Sequence, residues 1–385
     1  MLPQVSRTIG VAVKITSVEA QYLKIPLAFR YARGATIALG QSASQWTGTV
    51  VVQIHTDEGI IGLGDIAIKG NRESVGRGTR DYVEEVLARV LIGQDPFNLE
   101  LLLARLWDVN IHENTVMVAG IDIALHDLVS KALGIPLYKY LGGKYRERVP
   151  LTWNVPADRD VSLMVRQAAD AVENGFRNVI KVKTGTPWDV EALAAIQKAI
   201  GPSVPLRPDD NGTYPVGQSI QRYRQALDNG CVFELLEQPV SNEDIPGLRR
   251  IADALGVRTM YHIGYLQRTV ALEIVRSCAC DVVSIPVFRH GVRDATQLIK
   301  FFETANIGCA MGSGLESSIA ATAAVHVATA LRNLNHPIDT LGPLYMSEDI
   351  LKESPRFEAG FAYAPEAPGL GIELDQSKVE KFRVA

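Results

Sequence analysis

The stretch that decides the fold runs from VIKVKTG at 179–185 through LRPDDNG at 206–212 to FELLEQP at 233–239. Each segment is a short apolar run that ends on charged residues and then turns. Lys181 and Lys183 are two apart, so on a strand both point to one face. The alternate residues Ile180 and Val182 are apolar and β-branched, as a strand packed beneath helices requires. Strand-end positions of the same kind recur at Lys181, Asp209, Glu237, His262 and Pro286, at intervals of 24 to 28 residues. The runs that carry them are VPLTWNV, VIKVK, VPLRPD, FELLEQP, RTMYHI, DVVSIPV and IGCAMGS, with amphipathic stretches such as VSLMVRQAADAVENG and IPGLRRIADALG between them. This is the period of a β/α unit repeated round a barrel, with a weaker eighth strand near PIDTLGP. An open doubly wound sheet explains the alternation too. The barrel is preferred because nearly every unit ends its strand on a polar or special residue.

Upstream the pattern differs. TVVVQIHT (49–56) and DEGIIGLGD (57–65) read as a hairpin turning at Asp57-Glu58-Gly59. From about 72 to 142 the spacing becomes helical in RDYVEEVLARVLIG, FNLELLLARLWDVNI and GIDIALHDLVSKALGIP, the last ended by Gly134 and Pro136. Strands followed by helices indicate an α+β unit. The expected organisation is an α+β capping domain over 1–140, completed by 365–385, and a modified (β/α) barrel over 141–364.

Bulk properties narrow the function. A net charge of −4 argues against nucleic acid and anionic membranes as partners. No run of about 18 apolar residues marks a transmembrane helix. MLPQVSRTIGVAVKI lacks a basic start and a small-residue cleavage site, so a cytoplasmic location is expected. Cys231, Cys278, Cys280 and Cys309 form no CxxC pair and read as buried free thiols. LGGKYRE lacks the spacing of a phosphate loop, and GIIGLGD reads as hairpin glycines.

The charged strand ends face a barrel mouth, where such folds place active sites. Two ammonium groups on one face repel, which lowers at least one pKa and suits a general base. Asp209 and Glu237 on successive strands beside that pair read as ligands of a hard divalent cation such as Mg²⁺.

IKVKTG, RPDDNG, LLEQPV, the helix GIDIALHDLVSKALGIPLYKYLGGK (120–144) and the tail APGLGIEL (367–374) resemble the enolase superfamily in its muconate-cycloisomerase and mandelate-racemase branch. The resemblance covers nearly the whole chain. It implies an enolase-type barrel with a capping domain. It also implies a first step in which a base removes the proton α to a carboxylate and Mg²⁺ stabilises the enediolate. By this resemblance Lys183 is the acid/base. Lys181 sits behind it, tuning it or touching the substrate carboxylate. Asp209 and Glu237 are metal ligands, and Glu316 in GSGLESS faces the substrate. A helix-start role suits Glu316 equally.

Two positions depart from the pattern. His262 stands where relatives place a third metal-ligating carboxylate. Imidazole binds Mg²⁺ poorly and suits Zn²⁺, Cu²⁺, Fe²⁺ or Ni²⁺ better, which leaves Mn²⁺ or another transition metal as alternatives to Mg²⁺, or it hydrogen-bonds near the site without touching metal. Pro286 stands where cycloisomerase-like relatives carry a second acid/base lysine, and a proline side chain moves no proton. Arg289 and His290 follow it as replacements, His290 being equally compatible with a solvent-exposed loop. These losses favour one-faced chemistry: a cycloisomerase or lyase acting on a small organic acid. A racemase or epimerase needs His262 or His290 opposite Lys183, and a barrel that has lost the chemistry is the remaining reading. In the capping domain, Arg30 and Arg33 of RYARGATIALGQSASQW (30–46) are candidates to pair with a second substrate carboxylate, and Trp46 to line an apolar wall or fill the domain interface. Asn211 is a further substrate-binding candidate, and a homo-oligomer is expected from the family.

Overall fold

The computed structural model describes residues 13–68, 72–109, 115–262, 268–340 and 342–384. The N-terminal stretch, the end of the helix expected to reach Ile111, and the residues directly after His262 lie outside these. Three strands open the chain: β1 (Ile15–Tyr31), β2 (Ser44–Thr56) and β3 (Ile61–Ile68). They form an antiparallel meander in the order β1-β2-β3. The β2–β3 connection turns where expected, with Gly59 at φ +71°. Helices Leu99–Val109 and Thr115–Ala132 follow. The second is apolar nearly all round because it is buried between the capping sheet and the rest of the molecule. Its approach to β3 is close. A Cβ at Gly64 would stand 2.0 Å from the Gly120 carbonyl oxygen, so only glycine lets the strand lie on the helix backbone.

After the short strand β4 (Val149–Pro150), the barrel begins with β5 (Trp153–Val155). It continues through β6 (Ile180–Lys183), β7 (Leu206–Asp209), β8 (Leu236–Glu237), β9 (Thr259–His262), β10 (Val282–Ser284) and β11 (Gly308–Ala310). Strands β5 to β11 form one parallel sheet in unbroken sequential order. Ile338 and Asp339 close it. Ile338 bridges Leu151 in parallel, Thr152 N donates to Ile338 O (3.0 Å), and Asp339 N donates to Met311 O (2.9 Å). The eighth position is therefore present but only two residues long. Two further short strands, β12 (Phe357–Glu358) and β13 (Phe361–Ala362), join β4 in a separate antiparallel sheet of order β12-β13-β4.

The outward residues of β6, Ile180 and Val182, are fully buried beneath the helices. Burial of this kind stabilises by about 1.5–3 kcal/mol per side chain. The intervening helices start where their sequence directs. Asp160 accepts from Ser162 N and Leu163 N at the head of Val161–Glu173, and Asp244 accepts from Gly247 N at the head of Ile245–Leu255. The C-terminal segment returns to the capping sheet: Arg383 bridges Leu23, and Val384 N donates to Tyr22 O (2.9 Å).

Three of the four cysteines are buried free thiols as expected, but Cys278 is exposed, because it sits in a turn with φ +49° after the helix Arg268–Ser277. Among the described residues no helix is long and apolar enough to cross a membrane.

Candidate active site

Parallel register brings the predicted residues together. Lys181 pairs with Arg207, Lys183 with Asp209, and Asp209 with Glu237 across β6, β7 and β8. Their side chains point into the barrel and are almost completely buried. Lys183 Nζ donates to Asp209 Oδ2 (2.5 Å) and to Asn211 Oδ1 (3.3 Å). Asn211 has φ +49°, which turns the chain just past the strand end and places its amide beside the lysine. Asp209 Oδ1 accepts from Asn211 N (3.0 Å), so this carboxylate is held from both sides.

Lys181 is the centre of the charge cluster. Its Nζ lies 2.6 Å from Asp339 Oδ2, 2.7 Å from Glu237 Oε2 and 3.0 Å from Asp209 Oδ2. Asp339, which the sequence reading did not single out, is therefore part of the site. Behind it Thr152 Oγ1 donates to Asp339 Oδ1 (2.6 Å), and Arg207, buried and paired with Glu234 at 2.7 Å, approaches Asp339 to 3.5 Å.

This arrangement reverses the expected pKa shift of the lysine pair. Burial alone would lower both. For Lys181 the carboxylates of Asp209, Asp339 and Glu237 prevail and hold its ammonium well above the usual lysine range. For Lys183, Asp209 has the same effect, aided by Tyr31 and opposed by Lys181. Mutual repulsion is real but smaller than the attraction of three carboxylates at 2.5–3.0 Å. Conversely, burial would raise Asp209, yet Lys181 and Lys183 hold it far below the usual carboxylate range.

The fit to a divalent cation divides between the three expected ligands. Asp209 and Glu237 suit one: they are adjacent, buried and anionic, and neither oxygen of Glu237 has an aligned hydrogen-bond donor among the described residues. His262 does not complete a cluster. Among the described residues no three His, Cys, Asp or Glu side chains are grouped to hold a metal ion. Glu237 lies opposite Met260, so His262 sits two residues further along β9. Its Nδ1 faces Glu237 Oε1 at 3.4 Å, while Nε2 has no aligned partner among the described residues. Burial lowers its pKa.

The remaining candidates fall at different distances from this centre. Glu316 is buried, accepting from Gly314 N (2.7 Å), Ser313 Oγ (2.9 Å) and Thr340 Oγ1 (3.0 Å), and burial pushes its carboxyl up to about 7. It lies just before the helix Ser318–Ala330, whose cap is Ser317. His290 is no exposed loop residue: it is buried in the first turn of Val287–Thr304, the helix that Pro286 caps. Arg30 and Arg33 are exposed, and Arg33 precedes the short helix Gly34–Ala38. Trp46 is partly exposed under Lys24, whose Nζ is 5.1 Å from the ring. From the same capping loop it is instead Tyr31 that reaches the site. Its hydroxyl accepts from Asn154 Nδ2 (3.2 Å) on β5, and its phenol acts on Lys183. No motif marked Tyr31 or Asn154, because neither is charged and the loop has no period. Asp339 did carry a signal, a carboxylate in the segment expected to form the eighth strand.

Comparison with known proteins agrees with this geometry. Residues 163–378 match the enolase C-terminal domain-like family, and residues 30–142 match the mandelate racemase / muconate lactonizing enzyme N-terminal domain. The chain belongs to the enolase superfamily, in its mandelate racemase and muconate lactonizing branch. It is 32% identical over 334 residues to an L-Ala-D/L-Glu epimerase of Clostridium acetobutylicum, covering 84% of this chain and 90% of that one. It is 28% identical over 356 residues to muconate cycloisomerase 1 of Acinetobacter baylyi, covering 90% and 94%. Among solved structures, muconate lactonizing enzyme from Pseudomonas fluorescens, complexed with muconolactone, superposes with a TM-score of 0.88 at 27% identity, covering 97% of this chain and 100% of that one. The N-succinyl Arg/Lys racemase from Bacillus cereus follows at 0.86 and 26%, covering 97% and 98%. These relatives are isomerases of the enolase superfamily, and the enolase-type barrel with its capping sheet is the fold they share with this chain.

Proposed function

We propose that this enolase-superfamily member moves the proton α to a carboxylate of a small organic acid, with Lys183 as the acid/base, in a cycloisomerisation or an elimination. The observation that supports it is the placement of the Lys183 ammonium at the barrel mouth, bonded to Asp209 and Asn211 and bordered by Tyr31. A divalent cation, Mg²⁺ by the oxygen donors, would be held by Asp209 and Glu237 and would supply Lewis-acid stabilisation of charge developing on the substrate carboxylate. Lys183 as described is an ammonium, a proton donor. It becomes a base only where Asp209 no longer stabilises its charged form. Tyr31, from the capping side, is held by Asn154 on β5 and orients what binds beside Lys183.

One face of the substrate is served. Pro286 occupies the sixth strand end and caps a helix, so it offers no proton carrier. A second reading, racemase or epimerase, has its own support. His262 stands on β9, three strand positions round the ring from β6, with Nε2 lacking an aligned partner among the described residues. Epimerase and racemase relatives are as similar as cycloisomerases. Self-association is part of the proposal and is checked by sedimentation.

The test is solvent deuterium incorporation at the α position of L-Ala-L-Glu, an N-succinyl-L-amino acid and muconolactone, with Mg²⁺ supplied. Lys183→Ala is expected to lower exchange by at least about 10²-fold. Exchange at the wild-type rate in that variant refutes the assignment. Exchange with inversion of the α carbon selects the second reading.

A further inference from the structure

His262 and Ser284 border one small space at the strand ends. They are register partners on β9 and β10, so their side chains leave the sheet on the same face. Gly312, just past β11, borders that space from a third side. A Cβ at Gly312 would stand 3.2 Å from Ser284 Oγ, 3.2 Å from His262 Cε1 and 3.5 Å from His262 Nε2. One place is thus close to both polar atoms, and a glycine keeps it open. His262 Nε2 and Ser284 Oγ are buried, and neither has a hydrogen-bond partner among the described residues. Buried polar groups are ordinarily paired, so these two suit a group that enters through the barrel mouth.

The two nitrogens of His262 are not equivalent. Its backbone N donates to Gln238 Oε1 (2.8 Å), and its Nδ1 faces Glu237 Oε1 at 3.4 Å. A carboxylate only accepts, so the proton of the neutral ring belongs on Nδ1. Nε2 is then an acceptor and needs a donor opposite it. The Ser284 hydroxyl can donate or accept, and so adapts to the neighbouring atom of the same group. A substrate carboxylate at the Asp209–Glu237 end of the mouth lies beside His262, so the donor belongs within a few bonds of that carboxylate. We propose that His262 and Ser284 are specificity-determining residues that hold an N–H or O–H group on the α or β carbon of the acid, with His262 Nε2 accepting its hydrogen bond. N-acylated α-amino acids and 3-hydroxy acids carry such a group, and muconolactone does not. This deepens, and rests on, the reading of the site as one that binds a small organic acid.

The experiment compares dissociation constants of matched acids for the full-length protein by ligand-observed magnetic resonance titration, with Mg²⁺ supplied, at about pH 8, where an ordinary imidazole is neutral. The pairs are N-acetyl-L-alanine against N-acetyl-N-methyl-L-alanine, and 3-hydroxybutanoate against 3-methoxybutanoate. Methylation removes the donor and keeps the carboxylate. In at least one pair the donor acid is expected to bind wild type about 5- to 10-fold tighter than its methylated partner. That ratio should fall to within about twofold in His262→Leu and at least halve in Ser284→Ala. A merely structural loss would weaken both acids of a pair alike. His262→Gln, whose amide oxygen can stand in for Nε2, should keep most of the preference. His262→Asn, which retains an N–H toward Glu237 and withdraws the outer acceptor, replaces His262→Leu should that variant not fold. The pair that shows the preference identifies the group held as an amide or a hydroxyl. A preference that survives loss of His262, or equal binding of both acids by wild type, overturns the proposal and leaves acid binding standing. Tighter binding of the methylated acids would place a proton on Nε2 and overturns it too. No binding of any of the four acids at millimolar concentration overturns the proposal and the small-acid reading together.

Discussion

Glu316 shows how far one buried side chain departs from its sequence pattern. GSGLESS gave it two roles, substrate contact or helix start. The structure buries it one residue before the cap of Ser318–Ala330, with three donors on its two oxygens. Burial raises its carboxyl from the ordinary 4.5 to about 7, and Asp65 adds a smaller push in the same direction. A raised carboxyl favours the folded state while protonated. Its contribution is full below about 4.5 and is lost as pH rises through about 7. Glu316→Gln is neutral at every pH, and Thr340 Oγ1 can turn to accept from its amide. The stability of the variant relative to wild type is therefore expected to improve between pH 5 and pH 8 by on the order of 3 kcal/mol, measured by urea unfolding across that range. A difference that stays flat with pH would show that Glu316 is not perturbed. Lys181, Lys183, Asp209 and Glu237 were legible in sequence because strand alternation and a fixed interval place them. The sign of the lysine shifts was not. It depends on how closely the carboxylates approach, Asp209 for both lysines and, for Lys181, also Asp339, more than 150 residues away in sequence, and no local pattern records that proximity.

At the scale of elements the barrel was readable because its unit repeats. Five successive strand ends at near-constant spacing outweigh the ambiguity of any one apolar run. The eighth position was faint because Ile338–Asp339 is two residues long and makes only a bridge. The capping loop was faint for another reason: its contacts are made by backbone. The helix Gly34–Ala38 lies directly on the segment after Lys183. A Cβ at Gly34 would fall 1.9 Å from Thr184 O and 2.9 Å from Gly185 Cα. Both obstacles are backbone, so neither yields by a rotamer change. Ala32 O, just before the helix, accepts from Ala157 N (3.2 Å), which ties the loop to the segment just after β5 as well. Gly34→Ala is expected to lift this helix from the strand end and draw Tyr31 away from Lys183. Since a displacement of about 1 Å can cost ~10²-fold in rate, kcat/KM should fall by one to two orders of magnitude. The melting temperature should drop by only a few degrees, because overpacking costs about 1–3 kcal/mol. Unchanged kinetics in the folded variant would show that loop docking is not required for turnover.

The two domains act as one body because the cap is pinned to the barrel at points far apart on its surface. Thr47 Oγ1 donates to Leu315 O (3.0 Å), and Ser317 N donates to Asp65 Oδ2 (2.9 Å), so the loop carrying Glu316 hangs from the capping sheet. Leu370 N and Leu63 N donate to the two oxygens of Asp127 (2.7 and 2.8 Å), which binds the C-terminal segment and β3 to one helix. The helix Thr115–Ala132 also carries Asp122, whose Oδ2 accepts from Val292 N and from Arg293 N (3.1 Å). Those amides lie just past Gly291, where φ is +72° and the chain kinks toward the carboxylate. The residues GIDIALHD that carried the family resemblance are thus joints between domains rather than chemistry. Asp122→Ala removes the acceptor of two amides, one of them fully buried. At about 1–3 kcal/mol for each group left unsatisfied, the variant should lose on the order of 2–4 kcal/mol. If the joints are as distributed as the structure describes, unfolding remains a single transition. Far-ultraviolet dichroism, which follows the helices of both domains, and fluorescence of Trp107 in the cap and Trp153 in the barrel should then move to the same lower midpoint. Two separated transitions in Asp122→Ala would mean that this one carboxylate holds the cap on, and that the other contacts do not couple the domains.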